Sequence, residues 1–316
     1  MKIVIAGGSG HLGRILTRAL SVEHDVVVLT RDENHAGVLW DGRTLGPWSA
    51  ELDGADVLIN LAGRSVDCRY DAAHRAEILA SRVESTRVLG EAIARAKRPP
   101  RVWLQSSTAT IYAHRYDADN GEVTGRIGGN EPDTPEAWRF SIEVAEAWER
   151  ACDEARTPRT RKVKLRTAMV MSAEEGGAFR AMLRHVRLRF GRFGDGRQYM
   201  SWIHERDFVA AVRWLIADDE VGGVVNLAAP HPLPNGDFLR AIAKAWGTRL
   251  AIPTGGLVLR FGAWLLRTEP ELVLKSRRVV SRRLAERGFR FAFTEWPDAA
   301  RELCARVRAG AEGSTW

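Results

Sequence analysis

The chain has 316 residues, with 47 Lys and Arg residues against 40 Asp and Glu residues, and its formal net charge at pH 7 is +7. This length is sufficient for one large α/β domain or two interlocking lobes. The excess charge comes mostly from arginine and is not combined with exposed aromatic residues on a known module, so we expect no nucleic-acid binding. The longest apolar stretches, such as residues 56–63, are too short to span a bilayer, so we expect no membrane partner.

Cysteine usage predicts the cellular compartment. The three cysteines, Cys68, Cys152 and Cys304, are few and widely spaced. This pattern is typical of a reduced cytoplasmic protein without a disulfide framework or a metal cluster. Because a strand-like run begins at Lys2, we also expect no signal peptide.

A strand, a glycine turn and a helix follow one another at the start of the chain. Residues 2–6 predict a buried strand, the glycine-rich run 7–13 follows without a spacer, and apolar residues then recur at helical spacing to Leu20. This order places backbone N–H groups and a helix N-terminus where a pyrophosphate can bind, and the alternative is a turn that binds nothing. The residues expected to contact the cofactor here are Gly7, Gly8, Ser9, Gly10, His11, Leu12 and Gly13.

Strand-like and helix-like runs alternate through the first half of the chain. The predicted strands cover residues 25–29, 37–40, 56–61, 101–105 and 163–171, and the predicted helices cover residues 72–96 and 136–155. Residues 113–134, which are rich in Gly, Asp and Asn, predict a surface loop near the site. Alternation of this kind is typical of βαβ units, so we expect an α/β fold with a doubly wound parallel (Rossmann) sheet.

The second half of the chain is less regular. It predicts a strand at residues 224–227 and helices at residues 235–246, 257–266 and 271–286. We expect residues 1–248 to form the dinucleotide-binding domain, residues 249–304 a smaller and mostly helical cap on the substrate side, and residues 305–316 a tail. The arginine-rich region 267–290 favours a solvated helix face over an anion-binding surface.

The end of the second predicted strand bears on the choice of dinucleotide. NAD-binding proteins usually carry an acidic residue here, about 20 residues after the glycines, that binds the adenosine ribose. In this chain Thr30 and Arg31 occupy the position, and a hydroxyl beside a guanidinium suits the 2′-phosphate of NADP(H). Two alternatives stay open: Arg31 is an ordinary exposed arginine, or Asp32 points inward and favours NAD(H).

Small and polar residues end the other predicted strands. In doubly wound folds, ligands lie over the carboxyl ends of the strands, so we expect further cofactor contacts at these positions. The alternative is that these residues only bond backbone groups at the strand ends. The residues in question are Asn60, Leu61, Ala62, Gly63, Ser106, Ser107, Arg166 and Thr167.

Several segments carry a family resemblance. The glycine turn, Asn-Leu-Ala-Gly at residues 60–63 and Ser-Ser-Thr-Ala-Thr-Ile-Tyr at residues 106–112 resemble the extended short-chain dehydrogenase/reductases, the sugar-nucleotide epimerase and dehydratase superfamily. Within it, the chain most closely resembles the "epimerase family protein" group with its own C-terminal domain of unknown function. That closer resemblance rests on residues 81–87, residues 194–204 with Asp207, and residues 226–230, and it extends to about Leu303.

The resemblance implies a nicotinamide cofactor, a hydroxyl residue that polarises the substrate oxygen, and a Tyr-X-X-X-Lys pair for acid–base chemistry. Thr108 matches the hydroxyl position. The helix that should carry the pair, at residues 138–149, contains neither tyrosine nor lysine, and Ser141 and Ala145 stand near the two positions. In the usual pair an ammonium group lowers the phenol pKa, so epimerase chemistry by the usual route is not expected.

Other side chains are candidates for the missing chemistry. Tyr112 ends the serine-rich segment, and His204 is a candidate proton donor, although a structural role for His204 between a loop and a helix stays equally open. The candidates for substrate contact are Cys68, Arg69, Tyr70, Arg197 and Gln198. The last two suit an anionic or polyhydroxyl ligand.

The sequence therefore predicts an NADP(H)-dependent oxidoreductase or epimerase-like enzyme that acts on a small polar substrate. Hydride transfer needs an oriented nicotinamide, a polarised carbonyl and a proton source, so it does not depend on the usual pair. The alternative is a non-catalytic regulatory protein that senses NADP(H). The sequence is also compatible with a homodimer.

Overall fold

The protein, described by a computed structural model, has a central parallel sheet with helices on both faces. The structure describes residues 1–132, 134–249, 252–254 and 274–310. In chain order the strands are β1 (Lys2–Ala6), β2 (Asp25–Thr30), β3 (Val38–Leu39), β4 (Val57–Asn60), β5 (Val102–Thr108), β6 (Arg161–Thr167), β7 (Met169–Met171), β8 (Phe190–Phe193), β9 (Tyr199–Met200), β10 (Trp202–His204), β11 (Gly223–Leu227), β12 (Leu233–Pro234) and β13 (Ile252–Thr254). The α-helices of the described ranges are α1 (His11–Leu20), α2 (Ala72–Arg95), α3 (Glu136–Glu154), α4 (Ala178–Arg187), α5 (Glu205–Ala217), α6 (Asn235–Trp246), α7 (Arg282–Glu286) and α8 (Trp296–Arg308).

Seven strands form the central sheet in the order β11-β6-β5-β4-β1-β2-β3, and every neighbouring pair is parallel. The strand order reverses between β1 and β4, which creates a crevice at the carboxyl ends of these strands. The glycine-rich run follows β1 and therefore lies at this crevice. The predicted doubly wound parallel sheet is confirmed.

Both faces of the sheet are apolar because helices cover both of them. In β1, Ile3 and Ile5 pack with α1 and α5, whereas Val4 and Ala6 point to the opposite face and pack with α2. A strand that is buried on both faces appears in sequence as a continuous apolar run rather than an alternating one. This is why the strand runs are recognisable in the sequence.

A second hydrophobic cluster joins α4, α6 and α8 beside the sheet. The Trp296 ring of α8 stacks on Phe238 of α6 with the ring centroids 3.8 Å apart, and it lies 5.0 Å from the Trp202 ring. The described C-terminal part is helical, as predicted. The cluster combines segments from both sides of residue 249, the predicted start of the cap. Helix α8 also includes residues 305–308, which belong to the predicted tail. The domain limits themselves stay predictions.

The helix predicted at residues 271–286 is wrong over much of its length. Among its described residues, only α7 forms a regular helix, and the chain before it is extended because its backbone bonds other segments: Arg277 N–H donates to Tyr199 O at 2.9 Å. The predicted solvated face is wrong in part: Arg282 and Arg287 are exposed, but Lys275 and Arg277 are only 1% and 6% exposed. Lys275 is buried because its ammonium donates to Thr110 O at 2.8 Å. The helix predicted at residues 257–266 lies outside the described residues.

Two further features differ from the sequence-based expectations. The predicted strand 163–171 is divided at Ala168, because β6 belongs to the central sheet while β7 pairs with β10. The sequence also does not predict α4 and α5, which cover the region between β7 and β11. No helix of the described ranges is long and apolar enough to span a membrane.

Candidate functional site

The glycine turn after β1 has a geometry that side chains would block. Gly7 has φ of +80°, a left-handed conformation, and a Cβ there would lie 2.9 Å from the backbone nitrogen of Ala62. A Cβ on Gly13 would lie 2.4 Å from Gly7 O, because α1 packs directly on the turn. The turn therefore holds the N-terminus of α1 close to the ends of β1 and β4, as the sequence predicts.

A cleft of about 480 Å³ lies at the carboxyl ends of β1, β2 and β4. The predicted cofactor residues that line it are Gly7, Ser9, Gly10, Thr30, Arg31, Leu61, Ala62 and Gly63. Residues that sequence reasoning missed also line it, namely Trp40, Asp41, Arg43, Ser81 and Ser85. Its position over strand ends at the topological switch point is where doubly wound folds bind nucleotides.

The remaining residues of the glycine run lie beside the cleft. Gly8 lines a second cavity of about 440 Å³ on the other side of α1, and Leu12 packs against the hydrophobic core. Both ring nitrogens of His11 are buried and have no hydrogen-bond partner among the described residues. Burial lowers the pKa of His11, so the ring is neutral at pH 7.

The three residues at the end of β2 have different roles. Thr30 is buried, and its hydroxyl donates to Ser9 Oγ at 3.3 Å and accepts from Asp32 N–H at 3.0 Å. The Asp32 carboxylate accepts from Asn34 N–H at 2.9 Å and so closes its own turn. Arg31 is exposed and bonds no other described side chain or backbone group. Arg31 is therefore a cation available at the edge of the cleft.

Asn60 supports the cleft from behind. It is fully buried, and its amide donates to Thr86 Oγ1 at 3.2 Å and to Gln105 Oε1 at 3.0 Å. Its Oδ1 accepts from Ala62 N–H at 3.0 Å, which fixes the loop after β4. Asn60 thus shapes the cleft wall and does not line it.

Arg82 is a functional candidate that sequence reasoning did not single out, although it lies in the motif at residues 81–87. Its guanidinium lies against Gly63, where a Cβ would be 3.2 Å from Arg82 Cζ, and 5.1 Å from the centroid of the Trp148 ring. No carboxylate of the described chain pairs with it, and burial lowers its pKa to about 10. A cation therefore lies beside Gly63 at the cleft, and it contacts Trp148 of α3, the helix that lacks the usual lysine at Ala145.

The hydroxyl residues at the end of β5 point in different directions. Thr108 is half-buried at the carboxyl end of the strand, opposite Thr167 of β6, and its hydroxyl accepts from Thr110 N–H at 3.1 Å. Ser107 is buried and donates to Glu149 at 2.6 Å, while Ser106 is half-buried. Of the three predicted hydroxyls, Thr108 and Ser106 remain accessible at the strand end.

A buried ion pair occupies the region behind these hydroxyls. Arg166 is 8% exposed and binds both carboxylate oxygens of Glu149 at 2.7 and 2.8 Å. Its guanidinium lies 5.0 Å from the centroid of the Tyr112 ring, and the Tyr112 hydroxyl donates to Asn226 Oδ1 at 2.8 Å. Tyr112 is fully buried, and burial raises its pKa. This placement does not support an acid–base role for Tyr112 or a cofactor contact for Arg166.

His204 lies in the interior, away from the cleft. Its ring stacks on Phe293 at 3.9 Å between centroids, its Nε2 is 3.0 Å from the Glu302 carboxylate, and its Nδ1 accepts from Arg206 N–H at 3.1 Å. Both ring nitrogens are therefore occupied. The geometry matches the structural alternative, in which His204 bonds a loop to a helix.

The candidate substrate residues form two separate groups. Cys68 and Arg69 are accessible on the loop after β4, while the Tyr70 ring is buried against Phe140 at 5.3 Å between centroids. Arg197 is exposed on the loop between β8 and β9, and the buried Gln198 amide donates to Phe193 O at 3.0 Å. The described ranges contain no cluster of three or more His, Cys, Asp or Glu side chains that could hold a metal ion.

Comparisons with known proteins agree with this architecture. A model of the NAD dependent epimerase/dehydratase family matches residues 3–228, and a model of a domain of unknown function, DUF1731, matches residues 256–303. The chain is 31% identical over 315 residues to the epimerase family protein SDR39U1 of Bos taurus, covering 96% of this chain and 100% of the relative. It is 29% identical over 317 residues to the epimerase family protein YfhF of Bacillus subtilis, covering 96% and 98%.

A solved structure extends the comparison to the fold. The crystal structure of human epimerase family protein SDR39U1 with NADPH matches with a TM-score of 0.84 and 28% identity, covering 96% of this chain and 99% of that chain. The resemblance inferred from the sequence motifs is therefore confirmed, including the C-terminal domain of unknown function. The chain belongs to the NAD dependent epimerase/dehydratase family.

Proposed function

We propose that the protein is an NADP(H)-dependent oxidoreductase or epimerase-like enzyme of the extended short-chain dehydrogenase/reductase type that acts on a small polar substrate. The observation that carries the proposal is the cleft over the glycine turn, with Arg31 free of any described partner at its edge. The human relative crystallised with NADPH supports the choice of cofactor.

The residues present fit this cofactor. The space over the glycine turn is one that a Cβ on Gly7 or Gly13 would fill, so the turn would hold the pyrophosphate at the N-terminus of α1. Arg31 would bind the 2′-phosphate with charge-assisted hydrogen bonds. The bound nicotinamide would supply hydride transfer, which the side chains of the protein cannot perform themselves.

Two residues are proposed for the reacting end of the site. Thr108, at the carboxyl end of β5, would donate a hydrogen bond to the substrate oxygen and polarise it. Arg82 would hold positive charge beside Gly63, in place of the lysine that is absent from position 145. Tyr112 and His204 remain sequence predictions for the proton donor, without support from their buried positions.

A non-catalytic NADP(H) sensor is the second candidate function. The observation that favours it is the absence of tyrosine and lysine from residues 138–149, together with the buried positions of Tyr112 and His204. A protein of this kind would bind the cofactor tightly without turnover.

An activity assay separates the two functions. NADPH oxidation would be followed with the full chain and a panel of aldehydes, ketones and sugar nucleotides. An enzyme should turn over at least one class, and Thr108→Val should lower the rate by about 100-fold or more, as expected for loss of a positioned hydrogen-bond donor. Thr110→Val, on the same turn, is the matched control and should retain activity. Tight NADPH binding without turnover across the panel would favour the sensor.

The proposed reaction does not use Cys152 or Cys304 as a nucleophile. Burial raises the pKa of Cys152 to about 12 and that of Cys304 to about 11, so neither forms a thiolate at neutral pH. Cys68 is half-buried. A cytoplasmic location stays a prediction from the small number and wide spacing of the cysteines.

A further inference from the structure

We propose that Arg43 binds the 2′-phosphate of NADP(H) together with Arg31 and is a second determinant of coenzyme selectivity. This inference rests on the proposed function, because it requires the cleft to hold the adenosine end of NADP(H). Arg43 is not part of any sequence motif discussed above. Its role follows from its position after β3, which lies next to β2 in the sheet.

The topology places Arg31 and Arg43 at the same edge of the sheet. β2 and β3 are parallel neighbours, with Thr30 opposite Leu39, and Trp40 N–H donates to Thr30 O at 3.1 Å. The chain leaves both strands side by side, so Arg31 follows β2 and Arg43 follows β3 into the same cleft. Both side chains line this cleft, so they can reach one phosphate group bound there.

The backbone of Arg43 is firmly held. The Asp41 carboxylate accepts from the N–H groups of Arg43 and Thr44 at 2.8 and 2.9 Å, and from the Thr44 hydroxyl at 2.5 Å. The Thr44 hydroxyl bond, followed by the backbone bonds, lowers the pKa of Asp41 to about 2, so the turn keeps its anion at neutral pH. From the other side, Arg87 Nη2 donates to Arg43 O at 2.8 Å. These bonds hold the turn on both sides, so the Arg43 side chain extends from a fixed backbone position.

The side chain of Arg43 has an ion-pair partner at Nε, and its terminal nitrogens remain available for a ligand. Its Nε forms an ion pair with Glu84 Oε2 at 2.8 Å, and 62% of the side chain is exposed. The pair engages Nε, and no group of the described chain engages the two terminal nitrogens. A guanidinium has five N–H donors in a planar fork, so the terminal nitrogens can bind phosphate oxygens while Nε stays with Glu84.

The charge balance at the cleft favours a contribution from both arginines. The titratable groups that line this end of the cleft are Arg31, Asp32, Asp41 and Arg43, with Glu84 behind Arg43. The two aspartates accept from the N–H groups of their own turns. Removing Arg43 would leave one arginine facing three carboxylates at this end of the cleft, and the lost positive charge would weaken the attraction for a dianionic phosphate.

Calorimetric titration of the full chain tests this inference. Wild type and Arg43→Ala would be titrated with NADPH, NADH, adenosine 2′,5′-bisphosphate and 5′-AMP. The loss of charged hydrogen bonds should weaken binding of NADPH and of the bisphosphate by about 10- to 100-fold, with NADH and 5′-AMP within about twofold of wild type. The matched control is Arg95→Ala, an exposed arginine paired with Glu91 on α2, which should change none of the four affinities.

The outcomes separate this inference from the proposed function. If wild type binds NADPH but Arg43→Ala binds it equally well, or loses affinity for both coenzymes alike, Arg43 does not read the 2′-phosphate and the inference alone is overturned. If wild type binds none of the four nucleotides, the proposed function fails and this inference fails with it. A melting temperature for each variant shows that the comparison is made between folded proteins.

Discussion

The imidazole Nε2 of His204 lies 3.0 Å from the carboxylate of Glu302, and this contact joins the end of β10 to the last helix, α8. The same segment makes a second bond to the C-terminal region, since the Asp207 carboxylate accepts from the N–H groups of Ala292 and Phe293 at 2.7 and 3.0 Å. The motif that ends in His204 and Asp207 therefore fastens the C-terminal region to the rest of the fold.

Another family motif has the same kind of role. Asn226, which opens the segment at residues 226–230, donates to Val280 O at 3.0 Å and accepts from the Tyr112 hydroxyl. Ala228 N–H donates to the Ser281 hydroxyl at 2.8 Å. Two of the three segments that distinguish this group by sequence therefore lie at joints between the central sheet and the C-terminal segment, whereas the segment at residues 81–87 contributes Ser81 and Ser85 to the cleft.

The first prediction concerns His204. His204→Ala should lower the free energy of unfolding by about 2–3 kcal/mol, because it removes a buried ring and leaves its partners unbonded. Urea denaturation measures this change. His231→Ala is the control, since His231 pairs with Glu295 at the surface, and it should change stability by less than about 0.5 kcal/mol. A His204→Ala variant with wild-type stability but no turnover would restore the catalytic prediction.

The second prediction concerns the buried pair of Glu149 and Arg166. Glu149→Gln should cost about 3–5 kcal/mol of stability at pH 7, because Arg166 would keep its charge without a partner. Glu136→Gln, at the exposed pair with Arg75, is the control and should be nearly neutral. Equal stability of Glu149→Gln and wild type in urea would show that the pair contributes nothing.

The same pair predicts a pH dependence. Burial raises the pKa of Glu149, but the hydrogen bonds and charge of Arg166 lower it more, so the net pKa lies below the usual value. The pair therefore stabilises the fold fully above the unfolded-state pKa of about 4.3, and this stabilisation is lost as the pH falls through the lower, folded-state pKa. Unfolding free energies measured from pH 7 into the acid range should fall more steeply for wild type than for Glu149→Gln. Parallel curves would contradict this account.

The third prediction concerns the contact between α1 and the glycine turn. Gly13→Ala should destabilise the protein by about 1–3 kcal/mol and weaken NADPH binding, because the new Cβ would meet the backbone of Gly7 and Gly8. Gly236→Ala is the matched control near the start of α6, where the nearest atom lies 3.4 Å away, and it should be tolerated. Thermal unfolding and NADPH titration measure both effects. Unchanged NADPH affinity in a folded Gly13→Ala variant would argue against pyrophosphate binding at this turn.

The fourth prediction concerns Arg31. Arg31→Ala should weaken NADPH binding by about 1–3 kcal/mol through the loss of charged hydrogen bonds, with little change for NADH. Asp32→Asn is the companion variant. Because the Asp32 carboxylate closes its own turn, this change should not lower NADH affinity selectively. Equal weakening of both coenzymes by Arg31→Ala would refute the 2′-phosphate role, and a selective loss of NADH in Asp32→Asn would favour NAD(H).

Local signals made the central sheet and the glycine turn predictable. Strands buried on both faces leave continuous apolar runs, and the spacing of Gly7, Gly10 and Gly13 is set by contacts within a few residues of the turn and with β4. The family segments were recognisable for the same reason. Such features depend mostly on residues that are close together in the sequence, so they can be predicted without knowledge of the fold.

Features that depend on distant partners were not predictable. Lys275 and Arg277 have the charge and spacing of a surface helix, but contacts with distant segments hold them in a buried, extended segment. These contacts include the bond from the Lys275 ammonium to Thr110 O and the bond from Arg277 N–H to Tyr199 O. Arg166 at the end of β6 is one of the predicted cofactor residues, but Glu149 of α3 holds it in the interior. Arg43 enters the cleft because β3 pairs with β2, which no local pattern shows.

The central claim is that the glycine turn after β1 binds the pyrophosphate of NADP(H). Isothermal titration calorimetry of the wild-type chain with NADPH, NADP⁺, NADH and NAD⁺ tests it most directly. The account predicts saturable binding with one site per chain and tighter binding of the two 2′-phosphorylated coenzymes. Absence of saturable heat with all four coenzymes would contradict it.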